Sequence, residues 1–240
     1  MSEQFDFAGV FDEDYLYFYE AMLAERSEAE TAQVAELLGE RVRVLDSPCG
    51  HGRIANGLAE RGYRVTGIDY TELFLERARA DAEARGVDVA YVHGDMRELP
   101  WRGEFDAIVN WFTSFGYFDD ETNRRVLRGF HDGLRPGGRL VMELQNPARL
   151  FRILLPVTYF RRDRDVMFDI HEMDWEKWRI ATERVVVRDG RARSAHFTVR
   201  LYSYPELKAE LERAGFTDVR PAVEPNLDNR LVVVADRPKS

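Results

Sequence analysis

The apolar run Val42 to Leu45 ends in an acid, and the chain then turns through Asp46-Ser47-Pro48-Cys49-Gly50-His51-Gly52. Glycines such as Gly50 and Gly52 let the main chain pass close to a ligand without a Cβ in the way. The helix N-terminus that follows such a turn presents free N–H groups. Asp46 places a negative charge where a ligand's ammonium group would sit. Three more pieces recur at the ends of later apolar runs. Asp69, followed by Tyr70, can accept hydrogen bonds from two ribose hydroxyls. In Gly94-Asp95-Met96 the carboxylate can accept from an exocyclic adenine amine, and the thioether can pack on a ring. Asn110-Trp111-Phe112 delivers an amide and two aromatic rings to the same end. Singly, these residues read as an ordinary turn, a helix-capping Asp and core aromatics. Their recurrence at strand ends gives the ligand reading its weight.

The elements that must position these residues alternate. Residues 12–39 read as two helices, with Tyr15, Phe18, Tyr19 and Met22 at helical spacing. Strands are expected at Val42–Leu45, Arg64–Ile68, Val87–Val92, Phe105–Asn110 and Arg139–Leu144. Helices are expected between them, ending near Arg61, Gly86 and Gly133. The run Ala107-Ile108-Val109 suits a strand buried on both faces. Arg135-Pro136-Gly137-Gly138 reads as a turn into the fifth strand. Strand–helix alternation of this kind builds a parallel, doubly wound sheet. Residues 147–200 break it. They read as a short Arg-rich helix or loop, then three β-like runs near 166–172, 178–187 and 193–202, with Asp189-Gly190 as a hairpin turn. A helix, Tyr204–Ala214, and two closing strands, Phe216–Val223 and Arg230–Ala235, complete the chain. The expected organisation is one domain over residues 1–240, with N-terminal helices in 1–40 and a β-rich insert at 147–200.

Size and composition agree with this reading. The chain has 240 residues, 45% of them hydrophobic, enough for one sizeable core. Its net charge of −9 disfavours a phosphate backbone as partner, so no nucleic acid is expected. One cysteine, Cys49, leaves no intrachain disulfide and suits a cytoplasmic location. No signal-peptide pattern and no apolar run of about 18 residues is present, so no membrane partner is expected. A monomer or homodimer acting on a small molecule is the expected state, with no metal.

Gly50-x-Gly52-x-x-Ala55 with Asp69 nineteen residues after Gly50 also matches the dinucleotide fingerprint. Against NAD stand the charge of Asp46 beside a pyrophosphate, the Asp95-Met96 pair, and a closing strand pair foreign to the order 3-2-1-4-5-6. Across residues 40–146 and 201–237 the chain instead resembles the class I S-adenosylmethionine-dependent methyltransferases. The first motif of that family is an acid followed by Gly-x-Gly-x-Gly; here Pro48 stands in place of the first glycine. Leu134 to Leu140 resembles the family's turn into strand five, and Arg200 to Phe216 its last helix and sixth strand. The resemblance implies a Rossmann-like seven-stranded sheet of order 3-2-1-4-5-7-6 with an antiparallel β-rich insert serving as a substrate cap. It implies S-adenosylmethionine as cofactor, held by Asp46, Gly50, Gly52, Asp69, Tyr70, Asp95, Met96, Asn110 and Trp111. The 147–200 insert resembles that of small-molecule N- and O-methyltransferases, including enzymes acting on amino sugars and glycine.

Methyl transfer needs a nucleophile placed in line with the methyl group and shielded from water. A hydroxyl acceptor, more than an amine, calls for a base. The candidates are His171, His131 and Tyr17. Asp169 and His171 lie two apart on a predicted strand and so share a face, where Asp169 could orient the imidazole. Tyr15, Tyr17 and Tyr19 lie on the N-terminal segment expected to close over the cofactor. Arg149, Arg152, Arg161, Arg162 and Arg164 cluster after strand five. Arg149 and Arg152 are the candidates to bind a carboxylate or phosphate on the substrate, since guanidinium forks suit such groups.

Overall fold

The computed structural model describes residues 7–239. The first six residues of the expected helical segment 1–40, and Ser240, lie outside the described residues. A four-residue helix, α1 (Phe7–Val10), leads into α2 (Glu13–Leu38). Asp12 caps α2, its Oδ1 accepting from the N–H groups of Asp14 and Tyr15 at 3.0 and 3.1 Å. The two helices expected over 12–39 are thus one continuous helix. The reason is local: residues 13–38 contain no Gly or Pro, and Ser27 bonds back to the Leu23 carbonyl at 2.7 Å within the turn instead of breaking it.

Then follow β1 (Arg43–Asp46), α3 (Arg53–Glu60), β2 (Arg64–Asp69), α4 (Glu72–Arg85), β3 (Val89–His93), β4 (Phe105–Asn110), α5 (Asp120–Gly133) and β5 (Leu134–Leu144). The expected turn at Arg135–Gly138 is absorbed into β5 as an irregularity. Phe105 pairs with Leu134 but Ala107 with Arg139, and Gly137 takes φ +76°. The insert comprises α6 (Pro147–Ile153), β6 (Val157–Arg162), β7 (Asp165–Asp174), β8 (Arg179–Arg188) and β9 (Arg191–Arg200). Finally α7 (Tyr204–Arg213), β10 (Thr217–Pro221) and β11 (Leu231–Asp236) return the chain to the first sheet.

That sheet runs β3-β2-β1-β4-β5-β11-β10. Its first five strands are parallel, and β11 and β10 are antiparallel to their neighbours. Numbered within the sheet alone, this is the order 3-2-1-4-5-7-6. The reversed β11, inserted between β5 and β10, rules out the all-parallel second half of a dinucleotide fold. Every residue of β4 is buried, as a strand covered on both faces must be. Val44, Ala107, Val109 and Val141 pack with Val34 and Leu38 of α2 and Ile54 and Leu58 of α3. Leu45, Ile108, Leu140 and Met142 pack on the other face with Phe130 of α5 and Leu211 of α7. The carboxyl ends of the parallel strands therefore open together between these layers.

The insert is a four-stranded antiparallel sheet in the order β6-β7-β8-β9. Asp189 and Gly190 join β8 to β9 with φ of +52° and +72°, the left-handed pair that a tight hairpin requires. Strand β6 was not expected from the sequence. Its Val157 and Tyr159 point outward and are exposed, so the apolar-in, polar-out alternation that marks a strand is missing. The inner face, with Met167 and Val186, packs on Phe18 of α2. Asp14 at the start of α2 pairs with Arg188 at 2.7 Å and Arg193 at 2.5 Å. Helix α2 is thereby held between the two sheets.

Candidate functional site

A cavity of ≈910 Å³, open solvent at its mouth included, lies at the carboxyl ends of β1, β2 and β4. Asp46, Gly50, Asp69, Tyr70, Asp95, Met96 and Trp111 all line it. Asp46 ends β1 fully enclosed, and its Oδ2 has no hydrogen-bond partner. Burial pushes its pKa up to about 8, and the Arg53 guanidinium offsets only part of that rise. Gly50 takes φ +55°, and a Cβ built on it would meet nothing within 4 Å. The Ser47–Pro48 peptide in this turn is cis. Asp69 accepts from the Gly50 N–H at 2.8 Å and from the Thr71 N–H at 2.9 Å, so it shapes the glycine turn as well as lining the cavity.

Two of the residues expected to hold the cofactor, Gly52 and Asn110, do not line the cavity, and a third, Asp95, lines it with its carboxylate already engaged. Gly52 does not line the cavity. Its added Cβ would meet the Tyr91 hydroxyl and, at 2.7 Å, the Ala78 Cβ, so glycine there serves the packing of α3 on α4 and β3. Asn110 is fully buried behind the turn and donates to the Ser47 carbonyl at 2.8 Å; it braces the loop. Asp95 lines the cavity, but its carboxylate already accepts from the Arg97 N–H at 2.8 Å and from the Arg97 guanidinium at 2.8 and 2.5 Å.

A second cavity of ≈1550 Å³, likewise open to solvent, lies under the inner face of the insert sheet. Phe11, Tyr15, Phe112, Ser114 and Tyr117 line both cavities and form the partition between them. The partition is built under backbone strain. Phe112 and Thr113, neither of them glycine, take φ of +60° and +58°. Three guanidinium groups surround the Phe112 ring, those of Arg26 at 5.5 Å, Arg53 at 5.1 Å and Arg230 at 5.0 Å. Glu30 of α2 ties the arrangement together. It pairs with Arg26 and Arg53 at 2.5 Å each and accepts from the Trp111 indole at 3.1 Å. Glu30 was not expected from sequence. A Glu on a helix 81 positions before Trp111 carries no local signal, and only the fold brings the two together.

His171 lines the second cavity. Its ring nitrogens lie 3.1 Å from the Thr158 hydroxyl and 3.0 Å from that of Thr182. Asp169 shares its face but does not orient it. The Asp169 carboxylate is engaged by Arg184 at 2.7 and 2.8 Å in a buried, two-pronged pair. Burial lowers the His171 pKa below the usual imidazole value, so the ring is neutral near pH 7. Tyr17 faces away from both cavities, between the guanidinium groups of Arg162 and Arg188 at 4.3 Å; as a base it is displaced from the site. His131 packs on Phe216 at the far side of α5. Arg152 is exposed and paired with Asp228 at 2.7 Å, outside the cavities, whereas Arg149 lines the second one. Tyr15, two residues before Tyr17 and so on the opposite face of α2, reaches both cavities, and burial raises its pKa.

A family model described as a methyltransferase domain matches residues 44–138. The chain is 31% identical over 180 residues to the demethylmenaquinone methyltransferase of Thermus thermophilus, covering 73% of this chain and 74% of that protein. It is 29% identical over 163 residues to YqeM of Bacillus subtilis, a protein provisionally named a methyltransferase, covering 66% of this chain but only 63% of that relative's length. The solved structure of S-adenosylmethionine-bound CalS10, an amino pentose methyltransferase from Micromonospora echinaspora, superposes with a TM-score of 0.68 at 25% identity, over 91% of this chain and 96% of that one. The chain belongs to the class I S-adenosylmethionine-dependent methyltransferases. Its cavity residues fit that family's cofactor in one respect above all: a buried Asp46 carboxylate oxygen with no partner, at a cavity that the main chain at Gly50 and the Asp69 carboxylate also line.

Proposed function

We propose that this chain transfers the methyl group of S-adenosylmethionine to a nitrogen or oxygen atom of a small molecule seated in the second cavity. The observation that carries the reading is the adjacency of two chambers. One holds the Asp46 carboxylate with its Oδ2 unpartnered, the other holds His171 between two threonine hydroxyls, and Phe112, Tyr15 and Tyr117 stand between them. Asp46 and the Gly50 main chain would hold the cofactor's amino-acid part, Asp69 and Tyr70 its ribose, and Asp95, Met96 and Trp111 its base end. When bound, the cofactor supplies an electrophilic methyl group on a sulfonium. Helix α2 and the insert sheet exclude water from the partition. Both ring nitrogens of His171 are engaged by the hydroxyls of Thr158 and Thr182, so the proton that the acceptor loses would reach the imidazole through one of those hydroxyls, which passes on its own proton as it takes the acceptor's. The names of similar proteins, an amino pentose methyltransferase and a quinone-precursor methyltransferase, support a small-molecule acceptor.

Thermal melting with S-adenosylmethionine, S-adenosylhomocysteine, NAD and NADP in parallel tests the cofactor. Saturation at about 100 times Kd adds about 2.7 kcal/mol, a rise of roughly 5–10 °C for a chain of this size. The rise is expected with the two adenosyl thioether ligands alone. A rise confined to NAD or NADP would overturn the proposal.

A further inference from the structure

The charged groups around the second cavity do not balance. Arg184 is paired with Asp169, and Arg230 with Glu143 at 2.7 Å. Arg26 shares the single carboxylate of Glu30 with Arg53. Arg149 also lines the cavity, and its guanidinium makes one hydrogen bond, from Nε to the Asp228 main-chain carbonyl at 3.2 Å. Among the described residues no carboxylate pairs with Arg149; the nearby Asp228 side chain is taken by Arg152. Five guanidinium groups at the chamber and its partition, those of Arg26, Arg53, Arg149, Arg184 and Arg230, thus face three paired carboxylates. This occurs in a chain whose net charge is −9. Beside Arg149 the wall is aliphatic, formed by Leu150, Ile153 and Leu154. An arginine that lines the chamber beside an apolar wall, with no hydrogen bond shown from its Nη fork, is a forked donor suited to an oxyanion.

We infer that the acceptor molecule carries a carboxylate or phosphate group that Arg149 binds, with an apolar body lying between that group and the methyl-transfer point. The inference rests on the second cavity being the acceptor chamber. Arg152, offered by the sequence as an equal candidate, is excluded by its pairing and its exposure.

The test uses the full chain saturated with S-adenosylhomocysteine. Kd values are measured by ligand-observed NMR titration for benzoate, phenyl phosphate and the uncharged benzamide. At least one of the two anions is expected to bind about tenfold tighter than benzamide, and the pair shows which oxyanion is preferred. Arg149→Gln is expected to erase the preference while leaving benzamide binding unchanged; Arg149→Lys retains part of it, and Arg152→Gln all of it. Equal binding of the three probes, or a preference that survives in Arg149→Gln, would overturn the inference. The two proposals fail separately. Absence of S-adenosylhomocysteine binding sinks the methyl-transfer reading, whereas its binding without any anion preference sinks only the anion site.

Discussion

At Gly50 an added methyl group would enter empty space, while at Gly52 it would strike the Tyr91 hydroxyl and Ala78. Both positions have positive φ, yet their substitutions part company. Gly50→Ala is expected to cost about 1–2 kcal/mol of stability and to weaken S-adenosylhomocysteine binding measured by calorimetry, because it adds a methyl group to main chain that lines the cavity. Gly52→Ala adds a clash to the strain and is expected to cost about 2–4 kcal/mol in chemical denaturation. Asp46 gives a pH signature. Its folded pKa of about 8 lies above its ordinary value, so in the free protein its contribution to stability is full below about pH 4 and is lost as pH rises through 8. A ligand ammonium favours the ionised form. Affinity for S-adenosylhomocysteine is therefore expected to rise between pH 6 and 8, with proton release seen as a buffer-dependent binding enthalpy. Asp46→Asn should flatten that profile; an unchanged slope would remove Asp46 from the ligand contact.

Glu30 belongs to the scale of elements, because it fastens α2 to the start of α3 and to the chain leaving β4. Its carboxylate is held below the usual Glu range by Arg53 and Arg26 despite burial, so its stabilisation is present above about pH 4.5 and lost as pH falls through the lowered folded value. Glu30→Ala strands two guanidinium groups and an indole N–H. The expected cost is about 3–5 kcal/mol, together with a shift in the Trp111 fluorescence, which a loss of helix packing elsewhere would not produce. Such ties mark the limit of sequence reading. The parallel strands were legible because Val44-Leu45 and Ala107-Ile108-Val109 are apolar runs bounded by turns. The site acids Asp46, Asp69 and Asp95 were legible because they end such runs. Strand β6 was not, since Val157 and Tyr159 face outward. Nor were the threonine partners of His171, which come from neighbouring strands and reach it only through cross-strand register.

Over the whole molecule, the two sheets are joined through α2 more than through each other. Asp14 is one fastening point between α2 and the insert sheet, taking Arg188 and Arg193 together. Asp14→Asn is expected to speed amide hydrogen exchange in the first two turns of α2 and at the β8–β9 hairpin, while leaving α5 protected as before. Equal loss of protection throughout would mean that the layers open as one unit. The described residues include no helix long and apolar enough to cross a membrane.

The backbone at Thr113 carries a consequence for adaptation. A β-branched residue is held there at φ +58° with its hydroxyl buried and unpartnered. Glycine at this position would relax the chain and is expected to raise stability by about 1 kcal/mol. The same change would strip a wall from the chamber that Thr113 lines. Selection for robustness alone would discard this residue. The strained threonine sets endurance against the shape of that chamber, and a library at position 113 ranked first by melting temperature and then by turnover would separate the two demands.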